Sequence, residues 1–283
     1  MKSFLIRNAF LCFLGIGLIT GCSNEELSPD TQQAISEVDV VAIDESEQIA
    51  EEIHMIIEDI YATDEILTLS RENYQSDHLP ECVTVTTGVT ETTRQKTIDF
   101  GEGCELRNGN TVSGSILFLY SINMELMSKE LSFVLKDFTF NGVQVEGEST
   151  VTRVRDNGSG NPQSNVLSSF TLTWESGAEA SLALERTREW IEGYGSGFWA
   201  DNVFLITGTS VYTNRLGNVW QKTVVTPLRR EMACRFLVSG ELRLSRNENS
   251  MMLDYGDGTC DNKALLTRVD GTTEEINLRR FNR

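Results

Sequence analysis

From residue 82 onward the chain alternates apolar and polar side chains, and a glycine returns at a nearly fixed interval. The runs include Cys82-Val-Thr-Val-Thr, Ser115-Ile-Leu-Phe-Leu, Phe138-Thr-Phe, Ser169-Phe-Thr-Leu-Thr-Trp174 and Glu241-Leu-Arg-Leu. A period of two, rich in β-branched and aromatic residues and broken by Asn-Gly and Gly-Asn pairs, predicts antiparallel strands joined by tight turns. The glycines are Gly114, Gly147, Gly177, Gly208, Gly240 and Gly271, at spacings of 33, 30, 31, 32 and 31 residues. Two strands and their turns use about that length, so each unit reads as one hairpin. Gly177 and Gly271 fit turns. The other four lie inside strand patterns, where glycine signals a bulge or a close backbone approach.

A second repeat is sharper. Ile98-Asp-Phe-Gly-Glu-Gly-Cys104 matches Leu253-Asp-Tyr-Gly-Asp-Gly-Thr-Cys260 with one residue inserted, and each copy has a cysteine upstream, Cys82 and Cys234. Four cysteines allow three pairings. Equivalent units should close equivalent bridges, which favours Cys82–Cys104 and Cys234–Cys260. Cys, Asp-aromatic-Gly-acid-Gly-Cys and Cys-Asp-Asn pieces over residues 82–278 also make the chain similar to a set of uncharacterised bacterial envelope lipoproteins. That likeness implies a shared fold and carries no activity with it.

Ahead of the strands, residues 46–61 predict one amphipathic helix. Ser46 suits an N-cap, Ile49, Ile53, Ile56, Ile57 and Ile60 recur at helical spacing, and Glu51, Glu52, Glu58 and Asp59 take the face assigned to water. Packing against a core is the leading reading of that helix, and binding a partner is the other. The expected fold is therefore mainly β, an antiparallel meander of hairpins over 80–283. With so many strands the sheet should curl or split into two layers, and the N-terminal helix should pack on it. A β-sandwich with the helix outside is the alternative. Residues 44–79 supply the helix and a connecting loop, and 22–43 an acidic tether.

The first twenty-two residues carry Lys2 and Arg7, then a short apolar run, and end at Leu18-Ile19-Thr20-Gly21-Cys22. The run is too short to span a bilayer and reads as a signal peptide. Its last five residues resemble the lipobox of bacterial lipoproteins. The resemblance implies cleavage before Cys22, acyl chains (palmitate among them) on that residue, and a lipid anchor in the outer membrane. Ser23-Asn-Glu-Glu26 also resembles acidic signals that carry some lipoproteins to the cell surface. A linker facing the periplasm is the plainer alternative.

Charge is unevenly spread within a net of −18: residues 23–80 hold sixteen acids against one base, Arg71. No basic stripe exists to neutralise phosphates, so nucleic acid is not an expected partner. The partners that remain are the membrane, through lipid at Cys22, and an unidentified ligand or envelope protein. No cofactor is expected. His54 and His78 are the only histidines, both before the strands, and no P-loop, Gly-x-Ser-x-Gly or His-Glu-x-x-His is present. Two candidate sites stand out. Asp254, Asp257 and Asp261 could offer oxygen ligands to calcium, but they break the EF-hand order and equally suit a turn whose carboxylates hold local backbone. Trp174, Arg186, Arg188, Trp190, Trp199 and Trp220 could form a ligand-binding patch, with Arg186, Arg188 and Trp190 sharing one face of a strand. Cross-strand pairing of aromatics is the competing account. The expectation is a non-catalytic binding protein, with a glycan hydrolase using a carboxylate pair as the alternative.

Overall fold

A computed structural model of the chain describes residues 37–70 and 73–278, with side chains from Asp39 onward. The signal peptide, Cys22 and the first part of the tether lie outside the described residues. One helix, α1 (Glu37–Ser70), precedes fourteen strands. These are β1 (Thr84–Val89), β2 (Thr93–Asp99), β3 (Cys104–Glu105), β4 (Thr111–Ser121), β5 (Ser128–Phe140), β6 (Val143–Val154) and β7 (Gln163–Thr173). They continue as β8 (Glu179–Glu192), β9 (Val203–Asn214), β10 (Val219–Glu231), β11 (Leu237–Arg246), β12 (Asn249–Asp257), β13 (Lys263–Thr267) and β14 (Thr273–Asn277).

All fourteen belong to one antiparallel sheet in which neighbours in sequence are neighbours in space, with the short β3 pairing β4 beside the main path. The sheet is not closed: β1 and β14 are its edges. The meander of hairpins is as expected, and the two separate sheets of a β-sandwich are not what the strands form.

The periodic glycines divide as their contexts indicated. Gly177 and Gly271 sit in turns at φ 75° and 82° with open space about them. Gly147 (φ 141°) and Gly208 (φ 119°) lie within β6 and β9, where an added Cβ would come within 2.1 Å of the Ser169 carbonyl oxygen and 2.2 Å of the Glu185 carbonyl oxygen. No side chain fits there, so the neighbouring strand passes closer than any other residue would allow. Both disulfides form as the repeats indicated, Cys82–Cys104 and Cys234–Cys260.

The helix departs from expectation at both ends. It has no glycine or proline between Glu37 and Ser70 to stop it. Ser46 is not its N-cap; it lies inside the helix and donates to the Ala42 carbonyl at 2.8 Å. Residues 37–43, assigned to the tether, are helical. A larger difference concerns its faces. Ile49, Ile53, Ile56, Ile57 and Ile60 are buried against the sheet core, as their spacing requires. Yet Glu51, Glu52, Glu58 and Asp59, assigned to water, are also buried. Their surroundings explain why.

Candidate functional site

The strand faces that meet α1 carry basic residues among the apolar ones. Along β8 the order Leu182, Leu184, Arg186, Arg188, Trp190 keeps a single parity, and all five are buried. The same interruption occurs at Val151 and Arg153 on β6, at Trp220 and Lys222 and again at Leu228 and Arg230 on β10, and at Lys96 and Ile98 on β2. Each base meets an acid of the helix. Arg188 grips Glu51 with two bonds, Nε to Oε2 at 2.9 Å and Nη2 to Oε1 at 2.6 Å. Arg186 reaches Glu47 at 3.0 Å, and Lys222 shares that carboxylate. Arg230 pairs with Glu52 at 2.6 Å and Arg153 with Glu58 at 2.5 Å. Arg94 and Lys96 meet Asp64 at 3.1 and 2.8 Å, and Arg155 meets Glu65 at 3.2 Å. At the far end Tyr255 donates to Asp44 at 2.9 Å.

Charges removed from water on this scale persist where each meets an opposite charge, and Asp59 instead accepts from the Ser76 hydroxyl. Burial alone would push the Glu47 carboxyl upward, but Arg186 and Lys222 together hold it well below the carboxylate range. The helix is thus fixed along its length by ion pairs from β2, β6, β8 and β10. Cavities between helix and sheet are small. One of about 30 Å³ is lined by Glu47, Gln48, Glu51, Arg186, Arg230 and Tyr255 among others, and another of about 10 Å³ lies beside His54 and Arg188. Such volumes hold about one or two waters.

This arrangement corrects the Trp and Arg patch as a surface. Arg186, Arg188 and Trp190 do share a face, but it is the face toward α1, and both arginines are spent on helix carboxylates. Trp220 is fully buried and packs at a tilt on Tyr212, with ring centroids 5.6 Å apart. Trp190 and Trp199 form a second small core with Phe204, Met55 and Ala62. Trp174 is partly buried and donates its indole N–H to Glu45 at 3.3 Å. Cross-strand pairing, the competing account, describes Trp190 with Phe204 and Trp220 with Tyr212, whereas Trp174 and the two arginines meet the helix.

The structure also brings an imidazole to the strands, which the sequence order did not foretell. His54 Nδ1 is 2.5 Å from the Ala50 carbonyl, and its Nε2 lies 2.9 Å from Ser168 Oγ and 3.2 Å from Ser149 Oγ. Since Nδ1 must donate to that carbonyl, Nε2 of the neutral ring accepts from a hydroxyl. Burial, helped by the positive Arg188, holds the His54 pKa well below its usual value. A hydroxyl, a base and an orienting carbonyl within bonding distance meet the geometry of an activated serine. Their placement does not, because all three residues are buried and the hydroxyls point toward the helix. His78 is similarly interior, tilted against Trp199 at 4.2 Å between centroids, and burial lowers its pKa to about 3.

The acidic turn does not gather its carboxylates. Asp254 accepts the Gly256 N–H at 2.9 Å, Asp257 the Thr259 hydroxyl at 3.1 Å, and Asp261 the Lys263 N–H at 3.0 Å. Asp99 repeats the first of these with Gly101 at 2.9 Å. Among the described residues no group of three or more His, Cys, Asp or Glu converges as a metal would need.

The opposite sheet face carries a groove of about 490 Å³ across β6 to β9. Its outward residues are Glu148, Thr150, Leu167, Ser169, Ala183, Glu185, Thr209 and Val211. The glycines Gly147 and Gly208, where strands approach closely, flank it in sequence. Leu167 at 58 % and Val211 at 37 % exposure give it an apolar floor, with two carboxylates beside it. No family model, curated protein or solved structure matches this chain.

Proposed function

We propose that this chain is a lipid-anchored outer-membrane protein, attached through Cys22, whose β-domain is non-catalytic and binds a ligand or envelope partner through the outer face of its sheet. The observation that supports it best is the use made of the inner face. The helix occupies that face, its acids consume the basic side chains, and three cavities beside it among the described residues are about 30, 10 and 10 Å³. A drug-sized ligand needs about 300 Å³ or more. The outer groove at about 490 Å³ meets that requirement. We picture the sheet as curled about α1, because strands β2, β4, β6 to β10 and β12 supply it with bonding partners. The address rests on the lipobox-like Leu18-Ile-Thr-Gly-Cys22.

A hydrolase is the second reading, favoured by the Glu148 and Glu185 carboxylates in the groove. One set of experiments on the full-length protein separates the readings. Labelled palmitate should enter the wild type and be absent from Cys22→Ser, which should also leave the detergent phase. A Cys22→Ser protein that stays labelled and membrane-bound refutes the anchor. Wild type should not cleave cell-wall glycans. Cleavage lost in Glu148→Gln or Glu185→Gln would replace the binding reading with the enzyme.

A further inference from the structure

The two edges of the sheet differ in chemistry. A free edge strand is a template for pairing with another chain, and proteins usually blunt it with charge, proline or cover. At β14 that protection is present. The bond from Arg268 N–H to the Thr272 carbonyl sets the alternation, so Thr273, Glu275 and Asn277 turn their backbone groups outward. Glu275 stands at the centre of that edge and pairs with Lys263 at 2.8 Å; Glu274 pairs with Arg268 at 2.7 Å. Two such edges meeting antiparallel would oppose Glu275 to Glu275.

At β1 the protection is missing. Thr84-Val-Thr-Thr-Gly-Val89 has no charge and no proline, and all six residues are exposed. Among the described residues its sole strand neighbour is β2, whose Lys96 and Ile98 are buried. The bond from Thr90 N–H to the Thr93 carbonyl, at 2.9 Å, again fixes the alternation. Thr84, Thr86 and Gly88 bond to β2, and Val85, Thr87 and Val89 present N–H and C=O to the free side. The strand is held at both ends, by Cys82–Cys104 and by the Thr90–Thr93 hydroxyl contact at 2.7 Å. It is therefore pre-organised as an extended edge, which reduces the ordering cost of pairing.

The outward set Val85, Thr87, Val89 is its own complement. Turned about Thr87, it places Thr87 opposite Thr87 and each valine opposite the other, with no like charges facing. We infer that β1 is a self-association edge, where two copies of this chain pair antiparallel about Thr87 and continue one sheet across a two-fold axis. Three facing pairs exchange about six backbone hydrogen bonds. A closed two-fold contact of this kind stops at a dimer. The inference stands on the edge alone and is independent of how the chain is anchored.

The test uses the full-length protein in cells of a bacterial host. In the proposed register Thr87 residues face each other within disulfide range, whereas Thr86 faces Gly88 and two Thr86 positions lie beyond it. Mild oxidation should convert Thr87→Cys to a disulfide dimer on non-reducing gels and leave Thr86→Cys and wild type monomeric. Adding Val85→Lys and Val89→Lys to Thr87→Cys should abolish the dimer, while the Cys82–Cys104 bridge in peptide maps shows that the fold is retained. Equal cross-linking at Thr86 and Thr87 signals random collision and overturns the inference. So does a Thr87→Cys thiol that reacts with maleimide yet yields no dimer. Trimers and larger species of the wild type by light scattering in detergent would mean head-to-tail β1-to-β14 pairing, and would overturn the two-fold contact.

Discussion

Removing one partner of the Arg188–Glu51 pair should cost far more than removing both. The two bonds are short, Arg188 is 1 % and Glu51 11 % exposed at the side chain, and their neighbours are the helix on one side and β8 on the other. At about 4 Å and an effective dielectric of about 20, the attraction is on the order of 4 kcal/mol. Arg188→Met leaves the Glu51 carboxylate buried beside apolar atoms, and breaking a buried pair this way costs about 3–5 kcal/mol. Glu51→Leu strands the guanidinium instead and should cost a similar amount. Replacing both, Glu51→Leu with Arg188→Met, removes two desolvation costs together with the attraction. Such replacements are often neutral or stabilising by about 1–4 kcal/mol.

The measurement is a double-mutant cycle by urea unfolding, with thermal melts alongside. For a chain of this size about 2–4 °C is lost per kcal/mol, so each single variant should melt roughly 6–20 °C lower. The double variant should recover most of that. A second signal follows from the same contact. Burial comes first in holding the His54 pKa down and the Arg188 charge second, so Arg188→Met should let the imidazole titrate higher by NMR. If the single variants melt with wild type, or the double variant is no better than the worse single one, the pair does not hold the helix to β8.

Ile53→Asp and Ile57→Asp should each destabilise the domain in the same unfolding assay, Ile53→Asp by several kcal/mol and Ile57→Asp by less, since both side chains are buried but Ile57 shares a cavity with Arg153 and Arg188. Opening either disulfide by Cys→Ser should lower the melting temperature, because closing loops of 22 and 26 residues contributes about 3 kcal/mol in the chain-entropy account. Asp59 supplies the pH dependence. Burial raises its pKa to about 7, against the Ser76 hydroxyl that it accepts, with Asp77 and Glu58 adding to the rise. A raised folded pKa gives stability that is full below about 4 and is lost as pH climbs through about 7. Asp59→Asn should flatten that segment of the stability–pH curve, whereas an unchanged slope would assign it to other groups.

Strand positions, the meander and the bridges were legible because their signals are local. A period of two, a glycine that recurs with its context, and two copies of Asp-aromatic-Gly-acid-Gly all lie within short windows. The role of the helix was not, because its partners are remote. Glu52 meets Arg230 across 178 residues, and Ser210 donates to Glu47 across 163. Read within its own segment, an acid-rich helix belongs at the surface. A usable signal existed in the strands. Arg153, Arg186, Arg188, Lys222 and Arg230 share parity with Val151, Leu184, Trp220 and Leu228, and bases on a core-facing parity require acids from elsewhere. The only acid-rich stretch in the sequence able to provide them in number is 23–80. Parity alone does not say which face is the core, and that ambiguity turned Arg186, Arg188 and Trp190 into a candidate surface patch.

The same pairing constrains how the domain can form. A sheet face bearing buried bases cannot be left dry without the helix, and a helix with acids on more than one side has little to gain from an apolar face alone. Each is stable only once the other is in place. The helix is first in sequence, yet its contacts extend from Arg94 on β2 to Tyr255 on β12. It must therefore wait for nearly the whole meander before its charges are satisfied. Long-range closure of this kind makes folding slow relative to chain length. Until it completes, neutral β1 is an unprotected edge, while β14 is shielded by Glu274 and Glu275. A chain with one protected edge and one bare one, both lasting through slow assembly, would be purged of the bare edge unless pairing there were tolerated or used.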